Sequence, residues 1–352
     1  MTDRMTTDAP RRPSAAGRST VRRSSWTLIG AAMIALSTLL PSASADGGTG
    51  PKRMELVTLG TGGGPSVRLE RAQTSSAIVI GEDIYLIDSA DGVLRQLAGA
   101  DLPIERIKAV FITHHHFDHN GDLGPLLVQR WLFHFARPQI RVIGPPMTRE
   151  MVTHLAKAFR ATELAPIIIG TTRIPGIAET VEATDIPGDL ETPAVIYQDA
   201  NVRVSAVLNN HYHFLPGSAA AAAARSYAFR FDTPDRSITF TGDTGPSERV
   251  ARLARGSDVL VSEVIDMDRM ERLLRAHDRP DFPMEELIEH LRKDHLTPPQ
   301  VGELAASAGV KEVILHHLVP GFDGETDLSV YTKGIDRHFK GPVRVARDLD
   351  RF

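Results

Sequence analysis

No cysteine occurs among the 352 residues. Disulfides and thiolate metal ligands are thereby excluded, as is a membrane anchor through a lipid-modified cysteine. Long apolar runs are also missing: the longest apolar-leaning stretch, Trp26 to Leu40, is shorter than the ~20 residues that cross a bilayer. Beyond residue 45 no stretch clusters Lys and Arg as a nucleic-acid footprint does. The Gly-rich turn Gly60-Thr61-Gly62-Gly63-Gly64 lacks the Lys and the following helix of a phosphate cradle, so it reads as a tight turn.

What is present begins with a leader. Residues 1–25 carry Arg11-Arg12 and Arg22-Arg23; the apolar stretch follows, and then Pro41-Ser42-Ala43-Ser44-Ala45. A basic segment, a short apolar core and Ala-x-Ala predict a cleaved signal peptide over 1–45, hence a periplasmic or secreted protein with no stable membrane span after cleavage. The alternative is an uncleaved N-terminal anchor. Arg22-Arg23 suggests twin-arginine export, although the flanking residues match that pattern only loosely. The leader holds six Arg against two Asp, so the net charge of −4 for the whole chain becomes −8 beyond it. An acidic protein is poorly suited to wrapping a polyanion, and a physiological nucleic-acid partner is expected to be unlikely.

After a linker at 46–53, residues 54–352 suffice for one large α/β domain, and 42% hydrophobic residues support a full core. Strands are predicted at Met54 to Leu59, Ser76 to Ile80, Ile84 to Ile87, Ile107 to Thr113 and Ile140 to Ile143. Helices are predicted over Gly124 to Phe135 and Thr148 to Phe159. Between 163 and 200 the pattern weakens and Pro and Gly recur, which reads as an insertion, a lid or a decorated hairpin. Further strands follow at Val202 to Leu208, Ser226 to Phe231, Ser237 to Thr241, Asp258 to Ser262 and Glu312 to Leu315. Ala219 to Ala224 reads as low-complexity filler in a flexible loop. Acidic residues and histidines recur just past strand ends, where open α/β sheets place their ligands.

The densest such group is Thr113-His114-His115-His116-Phe117-Asp118-His119, a His-x-His-x-Asp-His pattern. Imidazole and carboxylate suit zinc and similar cations, and a pair of ions needs roughly six or seven N/O ligands with a bridging carboxylate. The chain offers His114, His116, Asp118, His119, a His near 211, Asp243 and a His near 316. His211 competes with His213, and His316 with His317; His211 is favoured because it lies nearer its strand end.

These motifs, with Leu59-Gly60-Thr61-Gly62, Leu86-Ile87-Asp88, Thr241-Gly242-Asp243-Thr244, His295-Leu296-Thr297 and Val313 to Leu318, resemble the metallo-β-lactamase-fold hydrolases. The resemblance is to the branch of ribonuclease Z and the zinc arylsulfatases. It implies an α/β fold, a four-layer αββα sandwich, with metals at the sheet edge. It implies His114, His116 and His211 on one ion, Asp118, His119 and His317 on a second, and Asp243 between them. Two Zn2+ are implied, with Mn2+ or Fe as alternatives. Asp118, His295 and Glu263 are the implied catalytic residues: His295 would assist the leaving group, with Glu263 beside it. A structural role for both stays open, since Thr297 to Gln300 is already a helix start with a capping box. Asp88 reads as organising the loop beneath the site.

The function so implied is an exported dinuclear hydrolase in which a metal-bridged hydroxide attacks a small-molecule phosphodiester or sulfate ester. Hydrolysis of a lactam, lactone or carboxylic ester on the same site is the alternative, and a non-catalytic metal-binding protein the alternative of another class. Relatives in this branch are often dimers, which allows a homodimer.

Overall fold

The apolar runs pair into two sheets in the computed structural model, which describes residues 53–168, 170 and 173–352. The leader at 1–45 and nearly all of the linker lie outside the described residues. Contacts divide the chain at Gly50/Pro51, and both sheets belong to the second unit.

The first sheet holds, in spatial and sequence order, β1 (Met54–Gly60), β2 (Ser75–Ile80), β3 (Asp83–Ile87), β4 (Ile107–Phe111), β5 (Ile140–Gly144) and β6 (Val181–Asp185). β1 to β3 pair antiparallel, and β3 to β6 run parallel. The second holds β7 (Ala194–Gln198), β8 (Arg203–Leu208), β9 (Tyr227–Asp232), β10 (Ser237–Phe240), β11 (Val259–Ile265), β12 (Glu312–Val319) and β13 (Val343–Val345), ordered from β13 to β7. Here β7 to β10 are antiparallel, while β10 to β13 are parallel.

Alternation in the strands gives each sheet two apolar faces. The inner faces meet in one core of Leu56, Ile78, Tyr85, Phe111, Phe229, Phe231, Phe240 and Ile314. Phe111 is its pivot, with ring centroids 5.2 Å from Phe231, 5.5 Å from Tyr197 and 5.9 Å from Phe229. Such a ring contributes roughly 1.5–3 kcal/mol by burial alone, and it sits three residues before His114. The outer face of the first sheet is covered by helices Val93–Gly99, Leu123–His134 and Thr148–Ala158. Helices Glu248–Ala254 and Pro298–Ala308 cover the second. The result is the four-layer αββα sandwich expected from the sequence.

Four local differences bear on the site. β11 and β12 run past the expected ends, Ser262 and Leu315, to Ile265 and Val319. Their register slips there: Ser262 faces Leu315 but Val264 faces Leu318, so Glu263 lies opposite both His316 and His317. The extra residue is a β-bulge, which re-aims side chains beside a site. His317 takes up the slip with a φ of 47°, a conformation that a non-glycine residue adopts at a cost.

The stretch 163–200 supplies β6 and β7, one edge strand for each sheet, and so carries the chain between the two layers. Edge strands bury little, and three of the five β6 residues are not buried enough to need apolar side chains, which is why the pattern fades. The alanine run is a short helix, Ala219–Ala223, rather than a loop; Ser218 Oγ caps it by accepting the Ala221 N–H. Finally, a pair of helices not anticipated from the sequence, Met267–Ala276 and Met284–Asp294, stands between β11 and His295. Met267, Met270 and Leu274 of the first pack with Leu287 and Leu291 of the second.

Candidate metal centre

β4 ends at Phe111, and the His-rich segment turns from it into a single helical turn, Phe117–Asn120. The turn is held from below by Asp88, itself in the left-handed region with φ 61°. The Asp88 carboxylate accepts from the Thr113 N–H at 2.8 Å, from the Thr113 hydroxyl at 2.9 Å and from His119 Nδ1 at 2.8 Å. Asp88 thus organises the loop, as expected, and fixes the His119 tautomer so that Nε2 faces the centre.

Four groups of donor atoms gather there among the described residues, the atoms of each within 4.8 Å of one another; two hold the expected ligands, His114, His116 and His211, and Asp118, His119, Asp243 and His317, while the others join His295 to His211 and His290 and to Glu263 and His317. Asp243, after β10, lies between the two ligand groups, its Oδ2 being 3.9 Å from His114 Nε2, 3.3 Å from His119 Nε2 and 3.1 Å from His317 Nε2. Asp118 Oδ2 is 3.4 Å from His317 Nε2 and 3.6 Å from His119 Nε2. All seven expected ligands therefore converge. Six are buried, and His116 is partly exposed.

The competing histidines separate. His211 donates through Nδ1 to the Asp294 carbonyl at 3.0 Å, with Nε2 3.1 Å from His116 Nδ1. His213 turns away to the Asp294 carboxylate and is half exposed. His317 points into the centre, whereas His316, its neighbour across the bulge, is absent from every donor group among the described residues.

These residues fit divalent cations. Nε2 of His114, His119 and His317 is buried with no hydrogen bond among the described residues, although carboxylate oxygens surround it. A buried polar atom without a partner needs an explanation, and a cation between imidazole and carboxylate supplies one. Burial drives His114 and His211 well below the usual imidazole range and His116 down to about 4, so these rings are neutral, as ligands must be. His119 and His317 differ: burial opposes their charge, but Asp243, with Asp88 or Asp118, outweighs it, and His317 is pushed up to about 10. The carboxylates thus demand positive charge here, which either two imidazolium protons or metal ions provide.

Next to this centre His295 Nδ1 donates to Glu263 Oε2 at 2.8 Å, and Glu263 Oε1 accepts the Thr244 N–H at 2.8 Å. Burial pushes the Glu263 carboxyl up and opposes charge on His295, but the Glu263 carboxylate outweighs this and holds His295 above its usual range. The His295 ring lies 5.1 Å from that of His211 and stacks on His317 at 6.0 Å. Thr297 opens the following helix in a capping box with Gln300, as the sequence predicts.

The Gly-rich turn has a function that reading it as a turn missed. A Cβ on Gly64 would stand 2.0 Å from Asp118 Oδ2, and one on Gly63 2.9 Å from His317 Nδ1. The glycines let the backbone press close on Asp118 and His317. Two other participants, His290 and Asp294, lie on the helix pair, where no ligand-like spacing marked them.

Residues 84–318 match the family described as beta-lactamase superfamily domain. The chain is 32% identical to a ribonuclease Z of Mycolicibacterium gilvum over 76% of this chain and 85% of that protein. In fold it is similar to the metallo-beta-lactamase fold protein YhfI of Bacillus subtilis, with a TM-score of 0.59 at 18% identity, covering 85% of this chain and 99% of that one. It is likewise similar to the short form of human tRNase Z, with a TM-score of 0.58 at 19% identity, covering 85% and 98%. These relatives correct one expectation. A nucleic-acid partner was expected to be unlikely from the negative net charge, yet the relatives are named as ribonucleases. Net charge reports the average field over a surface, not the local field at a cation-holding cleft.

Proposed function

The chain belongs to the beta-lactamase superfamily, on its ribonuclease Z-like branch, and on that premise we propose that it is a dinuclear, zinc-dependent phosphodiesterase with RNA as its substrate class. The observation that carries this reading is the convergence of two donor groups on one shared carboxylate, Asp243, with three buried imidazole Nε2 atoms that make no hydrogen bond among the described residues. His114, His116 and His211 would hold one ion, Asp118, His119 and His317 the other, and Asp243 both. Two ions held there would supply Lewis acidity, acidifying a water and offsetting charge on phosphoryl oxygens. Nitrogen and carboxylate donors without sulfur suit zinc first, with manganese or iron as alternatives.

The protein's own groups do the rest. Glu263 keeps the proton on His295 Nδ1 and orients the ring, so that its other edge can serve the departing oxygen as a proton donor. Asp88 and the Asp294 carbonyl hold His119 and His211 by Nδ1, which turns Nε2 of each toward the centre. Asp118, held below the usual carboxylate range because His119 and His317 outweigh its burial, stays ionised.

The leader at 1–45 supports export, so that the enzyme would meet its substrate in the periplasm or outside the cell. A fusion of 1–53 to an export-dependent reporter tests this, and a reporter that stays inactive sinks it. The activity is tested with zinc-loaded protein on bis(4-nitrophenyl) phosphate, a short RNA, an aryl sulfate, a cephalosporin and a lactone. The two phosphodiesters should turn over. Turnover confined to the other three would overturn the reading.

A further inference from the structure

Beyond His211 the chain leaves the centre by two aromatic rings. Tyr212 packs edge-on against His116 at 5.3 Å and against His114 at 6.0 Å. Phe214 stacks on Tyr212, with 4.9 Å between centroids and 25° between planes. Tyr212 is half-buried, whereas Phe214 is 39% exposed.

Both rings line a cavity of about 220 Å3. Ala221 and Ala224, from the alanine run, line it too, and their small side chains leave it open. Arg225 fixes that wall: its Nε donates to the Gly188 carbonyl at 2.7 Å, and its Nη1 to the Ala221 and Ala224 carbonyls at 2.9 and 2.8 Å. Asn209 and Ser226 complete the lining used here; they are 6% and 3% exposed. Asn209 Oδ1 and Ser226 Oγ are buried and make no hydrogen bond among the described residues.

A single exposed phenylalanine is ordinary on a protein surface. This one stands one ring away from a ligand of the ions, and neither it nor Tyr212 belongs to an apolar core among the described residues. The cavity is smaller than the ~300 Å3 at which pockets for whole drug-sized ligands begin, so it takes one ring system. A planar group with apolar faces and a polar rim suits it: a face for Phe214, and donors or acceptors for the buried polar atoms. In RNA that group is the nucleobase, and every base offers a face for stacking.

We propose that Phe214, braced by Tyr212, is a substrate-binding residue that stacks on the base of a nucleotide flanking the scissile phosphodiester, and that the cavity walled by the alanine run receives this base. The proposal rests on the phosphodiesterase reading above for its substrate class, but not for its test.

The test is calorimetric binding of two probes, adenosine 5′-monophosphate and ribose 5-phosphate, which differ only in the base, to the zinc-loaded full-length protein. Phe214→Ala should weaken the nucleotide by about tenfold, the worth of one stacked base, and alter the sugar phosphate by less than about twofold. Phe214→Trp, which keeps a stacking face, should stay within about threefold of wild type for both probes. Ala221→Leu, which fills the cavity, should weaken the nucleotide alone, with metal content unchanged. The proposal is overturned if the nucleotide binds Phe214→Ala or Ala221→Leu as it binds wild type, or if both probes lose equally. A tryptophan variant as weak as the alanine one, or a wild-type protein that binds the nucleotide no more tightly than the sugar phosphate, would overturn it too. Failure of the wild-type protein to hydrolyse any phosphodiester would instead strike the functional reading, and the ratio of the two affinities would still decide the role of Phe214.

Discussion

His295 Nδ1 lies 2.8 Å from Glu263 Oε2, and both side chains are buried, which ties the His-x-Thr segment before one helix to the β11 residue that faces the bulge in β12. The pair also touches the Asp243 loop, because Glu263 Oε1 accepts the Thr244 N–H. Glu263→Gln keeps the shape but removes the charge that holds the proton on His295. It should lower kcat on a phosphodiester by about 10- to 100-fold with KM within about threefold and metal content unchanged. Steady-state kinetics beside metal analysis checks this, and an equal loss in an enzyme that has also shed metal would assign Glu263 to structure alone.

Gly64 has no room for a side chain, since a Cβ there would sit 2.0 Å from Asp118 Oδ2. Gly64→Ala should push Asp118 off the centre, weaken metal binding by about tenfold or more, and leave the global fold standing. Competition with a chromophoric chelator reads the affinity. Wild-type affinity in this variant would show that Asp118 does not bind metal.

The paired histidines should part in the same assay. His211→Ala and His317→Ala each remove a donor from a buried group, and each should cost about one ion per chain at limiting metal. His213→Ala and His316→Ala should keep wild-type stoichiometry. The reverse pattern in either pair would reassign that ligand.

Far from the centre, Asp199 gathers Tyr85 and Tyr197 hydroxyls at 2.6 and 2.8 Å and the Asn201 and Val202 N–H groups at 2.8 and 3.0 Å. Burial pushes its carboxyl up, but these hydrogen bonds outweigh burial and hold it below the usual range. A depressed carboxyl stabilises the fold fully above its unfolded value near pH ~3.9, and the contribution fades as pH falls through the folded value. Asp199→Asn should therefore cost roughly 1 kcal/mol at pH 7 and progressively less below pH ~4. Urea unfolding at several pH values measures the difference, and a gap that widens in acid would contradict the assignment.

Legibility in the sequence depends on what each element needs. The largely apolar run Ile107 to Phe111 is buried except at Lys108, and its ends came within two residues of those expected. The ligands adjoin such runs, so the seven convergent residues could be named, Asp88 included in its supporting role. Edge strands β6 and β7 were not legible because half-exposed residues need no pattern. Nor was the bulge at Glu263, His316 and His317, since β11 and β12 remain apolar on either side and a one-residue slip leaves no mark in composition. His290 and Asp294 escaped notice for another reason: their spacing is that of an ordinary helix turn, and only the tertiary approach of that helix to His116 and His211 gives it meaning.

The central claim is that this fold gathers two divalent ions around Asp243. Metal analysis by mass spectrometry of chain purified without chelator, set against protein concentration, tests it most directly. About two ions per chain are expected for the wild type and no more than about one for Asp243→Ala. A folded wild-type protein that hydrolyses phosphodiesters while holding no transition metal would contradict the claim.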